Sequence, residues 1–290
     1  MTRPVDGIRK LHVAGDLSIH VEERGSGPVL LFVNNFFANV DSWRSRTEEL
    51  AERFRVVTYD MRNQRNSSID LGVSWDDHLA DLHGLIQDVG SEPVVLVGSS
   101  ISTMLCRDLL RRYPNVARGA VFVGPAFSPY GGRRRKATVR TWLALLAAGG
   151  PAQLFEQLYS TVMSDETVER LGGAGFSGMR AAFVSDHESE PTRANLLSCL
   201  DAPDVPQLLQ ELSCPIQMLV GEADFQWYPS ALAEVERLIP DCRTAVLPGV
   251  GHLPYMEAPT EFQRVIGDFV DSLAVETTCE RLAGGADQVI

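Results

Sequence analysis

The stretch Pro93–Pro114, PVVLVGSSISTMLCRDLLRRYP, decides the fold of this chain. Its first part is an apolar run that ends at Gly98, which is typical of a buried strand. Leucine and methionine residues then recur at helical spacing as far as Pro114. The sequence therefore predicts a strand, a sharp turn at Gly98-Ser99-Ser100, and a helix.

Ser100 is the serine that we expect at the apex of this turn. A serine there holds its hydroxyl clear of the sheet, and the first amides of the helix point at the group that it attacks. The turn is crowded, so small residues are needed two positions before and after the serine. Ser100 has Gly98 and Ser102 at these positions, whereas Ser99 has larger, branched neighbours. An ordinary glycine-serine turn is the alternative interpretation.

The turn resembles the nucleophile elbow of the α/β-hydrolase superfamily, whose usual pattern is G-x-S-x-G. The resemblance extends from about Val29 to Leu273, and Ser102 stands in place of the last glycine. It implies an α/β-hydrolase fold: a mostly parallel central sheet flanked by helices, with a helical cap. The implied division is a core of residues 1–126 and 206–274, a cap of residues 127–205 and a C-terminal tail of residues 275–290.

Two further candidate residues follow later strands of the predicted sheet. Asp224 lies three residues past the apolar run Ile216–Gly221, and His252 lies in the loop after the last strand. An imidazole can take the proton of a serine hydroxyl, and a carboxylate can fix the imidazole tautomer and stabilise its cation. The order Ser100, Asp224, His252 is that of the superfamily, so we expect a catalytic triad. Glu222 is the alternative acid.

The resemblance also assigns a role to the loop after the strand Val29–Val33. Superfamily members carry His-Gly where this chain has Asn34-Asn35, and the next amide supplies half of an oxyanion hole. The alignment implies that the donor amides belong to Phe36 and Ile101. A plain loop is the alternative. The residues that we expect to contact substrate are Asn34, Asn35, Phe37 and Trp142.

Helical runs replace the strand pattern from residue 127 to about residue 205, where the resemblance places the cap. Gly173–Gly178 matches G-x-G-x-x-G there, but it follows polar residues rather than a buried strand, so we interpret it as a hinge or loop. Arg133, Arg134 and Arg135 begin a basic cluster at a helix N-terminus, where positive charge is unfavourable. The cluster indicates either a docking patch for coenzyme A or an acidic acyl carrier protein, or a solvated charged surface.

The composition sets limits on function. The chain has 290 residues, is 44% hydrophobic, and carries a formal net charge of -12, which argues against general binding to nucleic acid or anionic membrane. The sequence contains neither an apolar signal region nor a segment of membrane-spanning length, so we expect a cytoplasmic protein. The cysteines are scattered and form no C-x-x-C pair, which predicts reduced thiols and no metal site. No cofactor is implied.

Serine at the nucleophile position argues against the haloalkane dehalogenases and epoxide hydrolases of this fold, which use aspartate there. We therefore expect a small-molecule acyl ester or thioester, which is hydrolysed or transferred through an acyl-enzyme on Ser100. The Val33-Asn34 start of the oxyanion loop resembles the 3-hydroxyacyl-carrier-protein acyltransferases of rhamnolipid precursor synthesis. Two alternatives stay open: a lyase or cyclase that uses His252 as a base, and a catalytically silent binding protein.

Overall fold

The computed structural model of the chain describes residues 7–90 and 92–284, with side chains up to Leu273. The strands in chain order are β1 Gly7–Ala14, β2 Leu17–Arg24, β3 Val29–Val33, β4 Arg55–Asp60, β5 Val94–Ser99, β6 Ala117–Val123, β7 Ile216–Gly221 and β8 Cys242–Leu247. They form one sheet in the order β1-β2-β4-β3-β5-β6-β7-β8. β2 pairs antiparallel with β1 and β4, and all other neighbours pair parallel. The predicted mostly parallel sheet is confirmed.

Helices cover both faces of the sheet. They are α1 Val40–Arg44, α2 Glu48–Ala51, α3 Trp75–Val89, α4 Ser102–Arg112, α5 Arg133–Val162, α6 Asp165–Asp186, α7 Ser189–Ser198, α8 Pro229–Leu238, α9 Pro254–Glu257 and α10 Pro259–Gly284, with a 3-10 helix at Pro206–Glu211. In β3, Leu31 and Val33 belong to the core that contains α3 and α4, whereas Leu30 and Phe32 belong to the core that contains α10. Burial of both strand faces explains the unbroken apolar runs of the sequence.

Three helices, α5, α6 and α7, form an insertion between β6 and β7. Two glycines interrupt α5, of which Gly150 has a φ of 65°, and Gly172, with a φ of 57°, interrupts α6. The interpretation of Gly173–Gly178 as a hinge or loop is wrong, because these residues continue α6 beyond its kink. Packing outweighs the low helix propensity of glycine here: the Phe176 ring lies edge-on to Tyr159 with their centroids 5.0 Å apart.

The last helix continues past the point where the sequence predicted a tail. Its backbone is helical as far as Gly284, and residues 285–290 lie outside the described residues. No helix in the part of the chain that the structure describes is long and apolar enough to cross a membrane.

Candidate active site

Ser100 lies at the tight turn between β5 and α4 and has a φ of 54°, in the left-handed region that non-glycine residues rarely adopt. Gly98 makes the turn possible. A Cβ atom on Gly98 would lie 2.9 Å from the Cys106 sulfur and 3.2 Å from the Thr103 Cα. A larger residue at position 98 would therefore push α4 away from β5.

Ser102, which replaces the usual glycine, is accommodated through hydrogen bonds. Its side chain is buried, and its hydroxyl accepts the Ser99 amide at 2.8 Å. The same hydroxyl donates to the Val33 carbonyl at 2.7 Å, which is at the end of β3. This serine thus connects the elbow to the strand that leads into the predicted oxyanion loop.

The three predicted triad residues form one hydrogen-bonded series. His252 Nε2 lies 3.0 Å from Ser100 Oγ, and His252 Nδ1 lies 2.8 Å from Asp224 Oδ2. The His252 and Asp224 side chains are only 3% and 0% exposed. With the Nδ1 proton directed at the carboxylate, Nε2 is left to accept the serine proton. The arrangement can therefore activate Ser100 as a nucleophile.

Asp224, rather than Glu222, is the carboxylate that contacts His252. The second carboxylate oxygen of Asp224 accepts the Gln226 amide at 2.9 Å, so both oxygens are engaged and the carboxylate is held in place. Glu222 is exposed and accepts the Gly249 amide at 3.1 Å. Its carboxylate does not contact His252.

The loop that carries His252 is packed against both the sheet and the insertion. Gly124, at the end of β6, has a φ of 50°, and a Cβ atom there would lie 2.5 Å from the His252 carbonyl oxygen. On the other side, the His252 amide donates to the carbonyl of Val162, the last residue of α5. The imidazole is positioned by main-chain contacts from two parts of the fold.

Glu257 is a positioning residue that the sequence analysis missed. Its Oε2 accepts the Ser164 amide at 2.9 Å and the Gly251 amide at 3.1 Å. Its Oε1 accepts the Leu253 amide at 3.4 Å. Glu257 lies on the four-residue helix α9, and the sequence offers no pattern that separates it from an ordinary surface carboxylate.

Two backbone amides beside Ser100 are free to bind an oxyanion. Among the described residues, neither the Phe36 amide nor the Ile101 amide has an acceptor. Both residues line a small cavity that reaches Ser100. The Phe37 amide, by contrast, donates to Asn35 Oδ1 at 2.8 Å and is occupied. That the Phe36 and Ile101 amides bind an oxyanion stays a prediction.

Asn34 does not contact the space around Ser100. The residue is fully buried and lines neither of the cavities that reach the serine in the described structure. Its Nδ2 donates to the Tyr59 carbonyl at 2.6 Å, and its Oδ1 accepts the Trp43 indole N–H. The prediction that Asn34 contacts substrate is therefore corrected: its amide fixes the loop that carries Phe36.

Two cavities meet at Ser100. The larger one has a volume of 290 Å³ and lies against α5 and α6, where Phe155, Leu158 and Phe183 give it apolar walls. The smaller one measures 30 Å³ and lies between the elbow and the start of α5. The other three residues predicted to contact substrate line both cavities: Asn35, Phe37 and Trp142. Their contact with substrate stays a prediction.

His187, at the end of α6, also lines the larger cavity and was not singled out from the sequence. Its Nδ1 lies 2.8 Å from the Phe183 carbonyl, and its ring stacks on the Phe183 ring at 4.0 Å. Burial lowers the pKa of His187, and its hydrogen bonds to the Phe183 and Phe36 carbonyls oppose that shift only in part. The insertion thus contacts the oxyanion loop through the His187 ring, whose centroid lies 6.1 Å from that of Phe37.

Arg135 is not available for docking. It is only 7% exposed, its Nε lies 3.2 Å from Asp204 Oδ2, and its Nη2 donates to the Ala202 carbonyl. The buried carboxylate explains why an arginine is tolerated near this helix N-terminus. Arg133 and Arg134 are exposed, so the docking prediction now rests on these two residues.

Comparison with known proteins places the chain in a family. The sequence pattern of the Alpha/beta hydrolase family matches residues 30–265. The 2-(acetamidomethylene)succinate hydrolase of Mesorhizobium japonicum is 25% identical over 271 residues, which is 89% of this chain and 93% of the relative. Pimeloyl-(acyl-carrier protein) methyl ester esterase of Nitrosospira multiformis is 24% identical over 258 residues, or 86% and 96% of the two chains. A thermophilic esterase of Thermogutta terrifontis superposes with a TM-score of 0.80 at 26% identity, over 94% of this chain and 99% of that one. The chain belongs to the Alpha/beta hydrolase family.

Proposed function

We propose that the protein is a serine hydrolase that cleaves a carboxylic ester or thioester through an acyl-enzyme on Ser100. The observation that carries this proposal is the hydrogen-bonded series from Asp224 through His252 to Ser100, with distances of 2.8 and 3.0 Å. The amides of Phe36 and Ile101 beside it, which lack acceptors among the described residues, supply what a charged tetrahedral intermediate needs.

In the acylation half-reaction, Ser100 Oγ bonds to the substrate carbonyl carbon while its proton moves to His252 Nε2. The carbonyl oxygen becomes an oxyanion that accepts hydrogen bonds from the Phe36 and Ile101 amides. Asp224 stabilises the imidazolium cation. The bond to the leaving oxygen or sulfur then breaks, and His252 returns its proton to that atom.

In the deacylation half-reaction, a water molecule gives its proton to His252 Nε2 and its oxygen attacks the acyl carbon. The bond to Ser100 Oγ breaks, the serine regains the proton, and the carboxylic acid leaves. The relatives described above are named as a hydrolase and as esterases, which favours water as the acceptor over a second alcohol or amine.

Arg133 and Arg134 support a narrower proposal, that the acyl group arrives on coenzyme A or an acyl carrier protein. Both arginines line a surface cavity of 250 Å³, which shares Ala126 and Gln226 with the small cavity at Ser100. A thioester docked there would lie next to the wall of the cavity that reaches Ser100. Replacing both arginines with glutamine should lower kcat/KM for an acyl-coenzyme A but leave kcat/KM for a p-nitrophenyl ester unchanged. Equal losses of kcat/KM for the two substrates would contradict the docking proposal.

The main experiment is labelling with a fluorophosphonate, followed by intact-protein and peptide mass spectrometry. We expect one adduct per chain, on Ser100, in the wild type and in Ser99→Ala, and none in Ser100→Ala or His252→Ala. The wild type and Ser99→Ala should also hydrolyse p-nitrophenyl butyrate, whereas Ser100→Ala and His252→Ala should not. Turnover by Ser100→Ala at the wild-type rate would exclude an acyl-enzyme on Ser100. It would favour a reaction in which His252 acts as a base alone.

A further inference from the structure

The larger cavity at Ser100 has one polar end. Most of its wall is apolar, but Asn39, Ser42, Arg46 and Asp186 lie together where the chain after the oxyanion loop meets the end of α6. Arg46 lies two residues past α1 and is half-buried. A cation in the wall of a largely apolar pocket has to be stabilised by a partner of opposite charge or by hydrogen bonds.

The protein supplies Arg46 with little of that stabilisation. Its Nη1 donates to the Ser42 carbonyl at 2.7 Å, which fixes the side chain against α1. Among the side chains that the structure describes, those of residues 7–90 and 92–273, no carboxylate lies within ion-pair distance of Arg46. Two neighbouring arginines, by contrast, each have a carboxylate partner: Arg44 pairs with Glu22 at 2.6 Å, and Arg65 pairs with Asp41 at 2.5 Å. A guanidinium has five N–H donors in a planar fork, so most of those on Arg46 are left for a ligand.

Asp186, the acidic residue at the same end, is already engaged by other groups. Its Oδ2 accepts Asn39 Nδ2 at 3.0 Å, and its Oδ1 lies 3.4 Å from Arg65. Asp186 forms no ion pair with Arg46, and the charge of Arg46 acts on a group that lines the site. Burial raises the pKa of the Tyr255 hydroxyl, which also lines this cavity, and the positive charge of Arg46 works against that rise.

We propose that Arg46 binds a carboxylate of the substrate, so that the part of the substrate in the larger cavity is a short chain that ends in an anionic carboxyl group. This inference rests on the proposed function, since it names the substrate class of the same site. A guanidinium and a carboxylate match in geometry and form two parallel hydrogen bonds. The volume of 290 Å³ is at the small end for ligand pockets, which favours a short chain.

Because the whole protein carries a net charge of -12, its overall field does not attract an anion. Recognition of a carboxylate has to be local and has to depend on this one side chain. That dependence makes the proposal sensitive to a single substitution.

The test compares two esters that differ only at the far end of the acyl chain: p-nitrophenyl pentanoate and mono-p-nitrophenyl glutarate. Wild type should prefer the glutarate ester. Arg46→Gln should lose about 10- to 100-fold in kcat/KM for the glutarate ester, mostly through KM, and far less for the pentanoate ester, as expected for a charged hydrogen bond. The matched control is Arg44→Gln, which removes a nearby charge outside the cavity and should leave the preference unchanged.

A second measurement separates this inference from the proposed function. Calorimetric binding of glutarate to Ser100→Ala, with and without Arg46→Gln, needs no catalysis. Glutarate binding that is lost with Arg46→Gln supports the carboxylate site, even if neither ester is cleaved and the proposed function fails. Cleavage of both esters with equal losses in Arg46→Gln, or no binding of glutarate to Ser100→Ala, would overturn the carboxylate site and leave the hydrolase proposal intact.

Discussion

The carboxylate of Glu257 accepts the backbone N–H of Ser164 at 2.9 Å and so joins the histidine loop to the helical insertion. The same oxygen accepts the amide of Gly251, the residue directly before His252. The position of the imidazole therefore depends in part on contacts that the insertion provides. Because buried amides without acceptors are costly, this carboxylate controls both the stability and the geometry of the loop.

Replacing Glu257 with alanine should lower kcat for p-nitrophenyl butyrate by about tenfold or more, with a smaller change in KM, since misplacement of a catalytic group reduces the rate of the bound complex. Glu257→Gln keeps one acceptor oxygen and should recover part of the rate. Steady-state kinetics measures the changes in kcat and KM separately. The control is Glu261→Gln, on the exposed first turn of α10. An unchanged kcat in Glu257→Ala would contradict this role.

Ser102 should contribute to stability through its two buried hydrogen bonds. Ser102→Ala leaves the Ser99 amide and the Val33 carbonyl without a partner, so the free energy of unfolding should fall by about 1–3 kcal/mol. Urea unfolding measures the change. The control is Ser160→Ala on the exposed side of α5, which should stay within about 0.5 kcal/mol of wild type. Equal stability of the two variants would mean that water or a local shift satisfies both groups.

Gly124 allows the close approach of β6 and the histidine loop. Gly124→Ala combines a strained left-handed backbone with a Cβ atom 2.5 Å from the His252 carbonyl oxygen, so it should lower both stability and the rate of fluorophosphonate labelling. Gly84→Ala is the matched control. Gly84 lies inside α3 with nothing within 4 Å of an added Cβ, and the substitution should stabilise the protein by about 0.5–1 kcal/mol. Normal labelling of Gly124→Ala would show that the loop adapts.

The fold and the main site were predictable because the deciding signals are local. Ser100 and Asp224 each follow a buried apolar run, His252 follows the edge strand β8, and parallel strands bring their carboxyl ends to the same edge of the sheet. Their relative positions follow from strand order, which the resemblance supplied. The hydrogen bonds between them depend on glycine positions, such as Gly98 and Gly124, that keep the backbone segments close.

What the sequence did not predict depends on partners far along the chain. Arg135 belongs to a run of arginines and was interpreted as part of a surface patch, but its carboxylate partner, Asp204, is 69 positions away. Arg46 is a single charged residue in the turn after α1, and Glu257 is one on a four-residue helix; periodicity carries no information in segments this short. Whether such a residue is paired, or free to bind a ligand, is decided only by the packed structure.

The last prediction concerns acid stability and follows from His78, which is 2% exposed and whose Nε2 has no hydrogen-bond partner in the described structure. Burial lowers the pKa of His78 from 6.5 to about 4. In the unfolded chain the imidazole takes up a proton as the pH falls through 6.5, whereas in the folded protein it stays neutral until about pH 4. The unfolded state therefore binds more protons in this window, and the free energy of unfolding should fall by about 2–3 kcal/mol between roughly pH 7.5 and 4.5 from this group alone.

His78→Leu removes the titrating group from both states, so the free energy of unfolding measured in urea should fall less steeply with pH, by that same amount. The free energy of unfolding of His12→Leu, on the exposed face of β1, should fall as that of the wild type does. Parallel declines in wild type and His78→Leu would mean that other groups account for the acid sensitivity.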